Sequence, residues 1–111
     1  MSRSKRTYST HTLQAMKVFS SLIKVARKKH RWTVAELAER AGTTRPTIQK
    51  IEKGNPSTEL GLYFEVAGLL GIPLFEEDKE KLSSVQKALE LQWAVLPKRI
   101  DKDTDEVFDD F

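Results

Sequence analysis

The sequence predicts an all-α fold of five helices, with a mobile basic arm before them and an acidic tail after them. Three observations carry this. Apolar residues recur at spacings of three and four in five successive segments. Four of the segments open at a Ser or Thr cap, and four close at a glycine or a proline. No stretch alternates apolar and polar residues as a half-buried strand does, and there is no internal repeat.

Residues 1–11 lack periodicity and are expected to form the arm. Thr10 or Thr12 is placed to cap the first helix. Leu13, Met16, Phe19, Leu22, Ile23 and Ala26 then form an apolar stripe, with Lys17, Ser21, Lys24 and Lys28 opposite. The run from Arg27 to Arg31 brings positive charge to the helix C-terminus, more than dipole compensation alone requires. Thr33 opens the second helix, and Glu36 three residues on makes a capping box, with Trp32 before the cap in the staple position. Gly42 ends it in a left-handed conformation. Thr44 caps the third helix and Pro46 falls in its first turn, where the missing N–H is not needed. Ile48 and Ile51 face inward, and Gly54 stops the helix.

Ser57 or Thr58 is expected to cap the fourth helix, whose buried side is Leu60, Phe64, Ala67 and Leu70, with Tyr63 and Val66 alongside. Gly71 ends it. The fifth helix runs from about residue 78 to 96, with a stripe of Leu82, Val85, Leu89, Trp93 and Leu96, and Pro97 stops it. The expected organisation is therefore an arm at 1–11, a domain at 12–74, a linker and helix at 75–97, and a tail at 98–111.

Charge is segregated along the chain. Residues 1–53 carry 13 Lys+Arg against 3 acids, a net of +10; residues 54–111 carry 6 against 13, a net of −7. A basic front half is what a polyanion-binding face produces. With no cysteine there is no disulfide framework and no thiol nucleophile or ligand. His11 and His30 are not at metal-ligand spacing, so no metal or other cofactor is expected. There is no nucleophile elbow, phosphate loop or carboxylate pair to suggest an enzyme or a catalytic residue. "GLLGIP" follows a helix rather than a strand, so it is no dinucleotide fingerprint. No apolar run reaches the roughly 18 residues of a membrane span. The basic start has no apolar segment after it, so the expectation is a cytoplasmic protein without a membrane partner.

Two short capped helices joined by about four residues with a glycine match the helix-turn-helix pattern, whose second helix enters the major groove of DNA. With Ile48 and Ile51 inward, Arg45, Thr47, Gln49, Lys50 and Lys53 are left toward solvent. Arg matches guanine O6 and N7, Gln matches adenine N6 and N7, and Thr suits a base or the thymine methyl. Lys50 and Lys53 also suit phosphates. Thr33 and Thr43 lie at helix starts, where hydroxyls and free N–H groups favour an anion; Thr44, Asn55 and Arg31 complete the expected phosphate set. Glu52 is read as structural, paired with a cation such as Arg40.

The stretch "WTVAELAERAGTTRPTIQKIEKG" resembles the Xre-type helix-turn-helix of phage-repressor-like regulators, a resemblance that covers about residues 12–74. It implies a lambda-repressor-like fold and a double-stranded DNA operator, with base-reading positions at Arg45, Pro46 and Lys50, then Thr47 and Gln49. Val34 stands where the family commonly has Gln, and Pro46 offers only van der Waals contact at a frequent base-contacting site. Downstream, "FEVAGLLGIPLFEEDKEKL", a helix, "LPKRI" and the acidic end "DDF" look like the HipB-like antitoxins found beside HipA-like kinase toxins. That resemblance implies a dimer that represses its own operon and binds the toxin.

Helix-turn-helix domains usually bind as dimers, and the fifth helix is the expected interface through Leu82, Val85, Leu89, Trp93 and Leu96. Val107, Phe108 and Phe111, set among acids, suit a partner with a basic, pocketed groove. Two other readings stay open: a protein-interaction module in which DNA binding is secondary, and a free-standing regulator without a toxin.

Overall fold

The computed structural model describes residues 6–76 and 78–100. These form α1 (Thr10–Lys29), α2 (Val34–Ala41), α3 (Arg45–Glu52), α4 (Leu60–Leu69) and α5 (Lys79–Val95), with no strand among the described residues. The chain divides after Leu74 into two units.

In the first unit, Ile23, Leu37, Ile48, Ile51 and Val66 are wholly buried and cluster with Ala38, Tyr63 and Leu70. Each large aliphatic side chain so buried contributes about 1.5–3 kcal/mol. These residues come from all four helices, so the core fixes α3 against the other three. Val34 and Trp32 pack on its edge, as do Met16 and Phe19.

The α2–α3 connection forms as the sequence indicates. The Thr33 hydroxyl accepts from Glu36 N at 3.0 Å while Glu36 Oε1 accepts from Thr33 N at 2.8 Å, a complete capping box. Gly42 takes φ +69°, and Thr43 N donates back to Ala38 O at 2.9 Å, closing a Schellman turn. Thr44 caps α3 through its hydroxyl, which accepts from Thr47 N at 3.3 Å.

Several sequence expectations need correction. Ser9, rather than Thr10 or Thr12, caps α1; its hydroxyl accepts from Thr12 N. Leu13 and Leu22 are exposed. The inward face of α1 runs through Met16, Ser20, Ile23 and Arg27, and its two polar members disguise it. Ser20 is buried and donates to Ile51 O at 2.6 Å, while Arg27 reaches Glu52. Val18, Leu22 and Val25 lie on the opposite, exposed side. Neither Ser57 nor Thr58 caps α4; its N-cap is Glu59, without a side-chain cap bond. Leu60 and Phe64 are exposed, and the inward set is Tyr63, Val66, Ala67 and Leu70 at 0, 3, 4 and 7. That helix is apolar on nearly every side, so periodicity does not select its face.

Gly54 does more than stop α3. It is buried at φ +76°, and a Cβ there would lie 3.3 Å from Met16 O and Ser20 Oγ. The chain leaving α3 therefore presses directly on α1. Tyr63 Oη donates to Asn55 O at 2.7 Å one residue later and fixes the same turn; burial pushes the Tyr63 phenol up from its ordinary value.

In the second unit, Asp78 caps α5, accepting from Glu80 N at 2.8 Å and Lys81 N at 3.2 Å. All the described residues of α5 are exposed. Leu82, Val85, Leu89, Trp93 and Leu96 share one face at exposures from 42% to 77%. Among the described residues, no helix is long and apolar enough to cross a membrane. Val107, Phe108 and Phe111 lie outside the described residues.

Candidate nucleic-acid interface

The site is built from the first turns of α2 and α3. Arg45 is the first residue of α3, and Gln49 stands one turn later on the same face. Both are exposed, as are Pro46, Lys50 and Lys53. Arg45, Pro46 and Gln49 line an open cleft with Thr33, Val34 and Ala35 at the start of α2. Val34 and Ala35 are at positions whose N–H groups have no intrahelical partner.

The predicted base-reading residues are not equivalent in this arrangement. Arg45 and Gln49 are brought together in the cleft; Lys50 is a turn above Pro46 and lies outside its lining. Thr47 is half-buried, with its hydroxyl 2.9 Å from the Thr44 hydroxyl. Its hydrogen-bonding capacity is thus partly spent inside the protein.

The predicted phosphate residues divide similarly. Thr33 is at the cleft, but its backbone N–H is taken by Glu36 and its hydroxyl already caps α2. Hydrogen bonding to the carboxylate, from the Thr33 backbone N–H first and then the Thr33 hydroxyl, holds the Glu36 carboxyl below its ordinary value, with Arg40 adding attraction. Thr43 is in the turn rather than at a helix start, and its N–H is committed to Ala38 O. Thr44, not Thr43, is the cap of α3. Lys53 is the exposed C-cap of α3. Asn55 accepts from Ser57 N at 2.8 Å and Ser57 Oγ at 2.6 Å through its side-chain carbonyl, so what it presents to a phosphate is its amide nitrogen. Arg31 is exposed at φ +61° in the α1–α2 turn.

Two cations in the basic half serve the fold. Glu52 pairs with Arg27, not with Arg40: Arg27 Nε and Nη2 reach its two carboxylate oxygens at 2.6 and 3.1 Å. Arg27 Nη1 also donates to Trp32 O at 2.9 Å. Arg40 lies over the Trp32 ring, 4.3 Å from its centroid, and His30 stacks against the same ring at 4.6 Å. His30 Nε2 is 3.1 Å from Leu70 O, tying the α1–α2 turn to the end of α4. What the sequence reading missed is Ala35 in the cleft lining; a small residue on a helix gives no signal until its neighbours are placed.

The geometry presents a guanidinium, an amide and two helix starts along one cleft of a basic unit, with no acidic residue in its lining. It is suited to hydrogen-bonding base edges beside a phosphate chain. Residues 23–76, just under half of the chain, match the family model described as Helix-turn-helix. The comparisons found no match among curated proteins and none among solved structures. The described residues form five helices and no strand, an all-α fold consistent with the lambda-repressor-like one, and the matched helix-turn-helix segment runs from within α1 past the end of α4.

Proposed function

We propose that this chain, carrying a helix-turn-helix domain at residues 23–76, is a sequence-specific transcriptional repressor. It acts as a homodimer on an inverted-repeat operator. The observation that carries the reading is the pairing of Arg45 and Gln49 on the exposed first turns of α3, within the matched segment. The second helix of this motif is the one that enters the major groove. Arg45 reads guanine, Gln49 reads adenine, and Lys50, Lys53, Arg31 and Asn55 hold phosphates. The net charge of +10 over residues 1–53 supplies sequence-independent attraction.

The dimer is assembled through α5. Its face of Leu82, Val85, Leu89, Trp93 and Leu96 is exposed in the single chain, and a large aromatic among aliphatics is the usual anchor of an interface. The finer reading is an antitoxin of a type II toxin–antitoxin module that represses its operon together with a HipA-like kinase toxin. Its support is the resemblance of residues 64–82 and the acidic end to HipB-like antitoxins. Val107, Phe108 and Phe111 would engage that partner.

Selection from a random pool of duplexes with the full-length protein tests the DNA reading. The expected product is an inverted repeat with half-sites about one helical turn apart, roughly 34–36 Å, bound with a steep salt dependence. A pool that stays unenriched overturns it. Co-purification of a kinase encoded beside this chain decides for the antitoxin over a free-standing regulator. The exposed apolar face of α5 also favours a second reading, a protein-interaction module with DNA binding secondary. Weak, salt-insensitive DNA binding together with tight partner binding would select that one.

A further inference from the structure

Three of the six residues lining the cleft between the first turns of α2 and α3 are apolar. Thr33, Arg45 and Gln49 supply its polar lining; Val34, Ala35 and Pro46 supply the rest. Val34 is only half-buried and Pro46 is exposed, so these apolar surfaces are not wholly consumed by the core. None of the three apolar side chains can hydrogen-bond a base edge or a phosphate, and Pro46 lacks even the backbone N–H. Yet Pro46 is adjacent to Arg45, and Val34 faces it across the cleft from the other helix.

We propose that Val34, Ala35 and Pro46 form a receptor for the C5-methyl group of a thymine next to the base read by Arg45. This deepens the DNA-binding reading and rests on it. In the major groove the thymine methyl is the one apolar feature that a base pair presents. The apolar surface of Val34, Ala35 and Pro46, flanked by Arg45 and Gln49, is complementary to that feature. Cytosine methylated at C5 carries the same methyl at the same ring position and is accepted there on the same grounds. Burying one such carbon is worth about 0.8 kcal/mol, which converts to roughly a three- to fivefold change in affinity.

The test uses the full-length protein and the duplex recovered by selection. Each thymine is replaced singly by uracil, which removes the methyl and keeps every hydrogen-bonding group. The expected result is a loss of about three- to fivefold at one thymine of each half-site, with the other replacements near neutral. In V34Q and in P46S, checked for retained helicity, the uracil penalty at that thymine should vanish. Sequence-specific binding with every uracil tolerated overturns the methyl receptor and leaves the DNA-binding reading intact. A penalty that persists in both variants places the methyl against other residues and also overturns it. If no duplex is enriched, the DNA-binding reading fails first and this inference falls with it.

Discussion

Arg27 of α1 and Glu52 of α3 form a two-pronged ion pair, with Nε–Oε2 at 2.6 Å and Nη2–Oε1 at 3.1 Å. Their side chains are only 12% and 8% exposed. The pair joins the last residue of α3 to the far end of α1, and a third bond from Arg27 to Trp32 O holds the α1–α2 turn. It orients the proposed reading helix without touching the cleft.

Removing one partner strands the other in a largely buried place. Glu52→Ala or Arg27→Ala should therefore cost about 3–5 kcal/mol of unfolding free energy, read from urea denaturation. The Arg27→Met, Glu52→Leu double variant should recover much of that loss, because two apolar groups need no compensation. A double variant no more stable than either single one would show that packing, not charge, sets the cost.

Gly54→Ala should destabilise by roughly 1–3 kcal/mol, since a side chain is strained at φ +76° and its Cβ would press on Met16 O and Ser20 Oγ at 3.3 Å. Gly42→Ala shares the positive φ but meets nothing within 4 Å. Its thermal midpoint should fall less, and equal shifts would remove the close approach as a cause.

The capping box gives a pH dependence of definite sign. Glu36 has its carboxyl lowered in the folded state, so the stability it contributes is fully present above the ordinary carboxylate value. That contribution is lost as pH falls through the lowered one. Urea midpoints measured from neutral pH downward should fall less steeply for Glu36→Gln than for the unaltered chain. Parallel curves would show that the box contributes no linkage.

If α5 forms the proposed dimer, Leu89→Asp should leave a monomer in sedimentation velocity with helical content unchanged, because the residue is 59% exposed in the single chain. A charge there stays solvated in the monomer and would be buried only in the proposed interface. A variant that sediments as the unaltered protein does would move the interface elsewhere.

The local signals in the sequence were strongest where one residue type has one mechanical use. Thr33 with Glu36, Gly42, and Thr44 with Pro46 specify the two helices of the motif, and the structure forms them as expected. Less legible were the faces of α1 and α4. The buried side of α1 contains Ser20 and Arg27, polar residues satisfied by partners 31 and 25 positions away, which no local pattern can announce. In α4, apolar residues surround the axis, so packing alone chooses Tyr63 and Val66 over Leu60 and Phe64. At the cleft, Arg45 and Gln49 were legible as solvent-facing residues of the third helix, but their grouping apart from Thr47 and Lys50 emerges only once α2 is placed beside them. That Thr43 spends its N–H in a Schellman turn emerges only from the folded backbone.

Arg45 is the residue through which α3 is proposed to read sequence. The most direct measurement compares Arg45→Ala with the unaltered chain by fluorescence anisotropy, at one fixed salt concentration, on the selected duplex and on a scrambled one. The expected loss is about 1–3 kcal/mol, or roughly 5- to 150-fold, on the selected duplex. Little loss is expected on the scrambled duplex, with relaxed preference at one base position. Equal losses on both duplexes would make Arg45 a phosphate contact and overturn its role as a base reader.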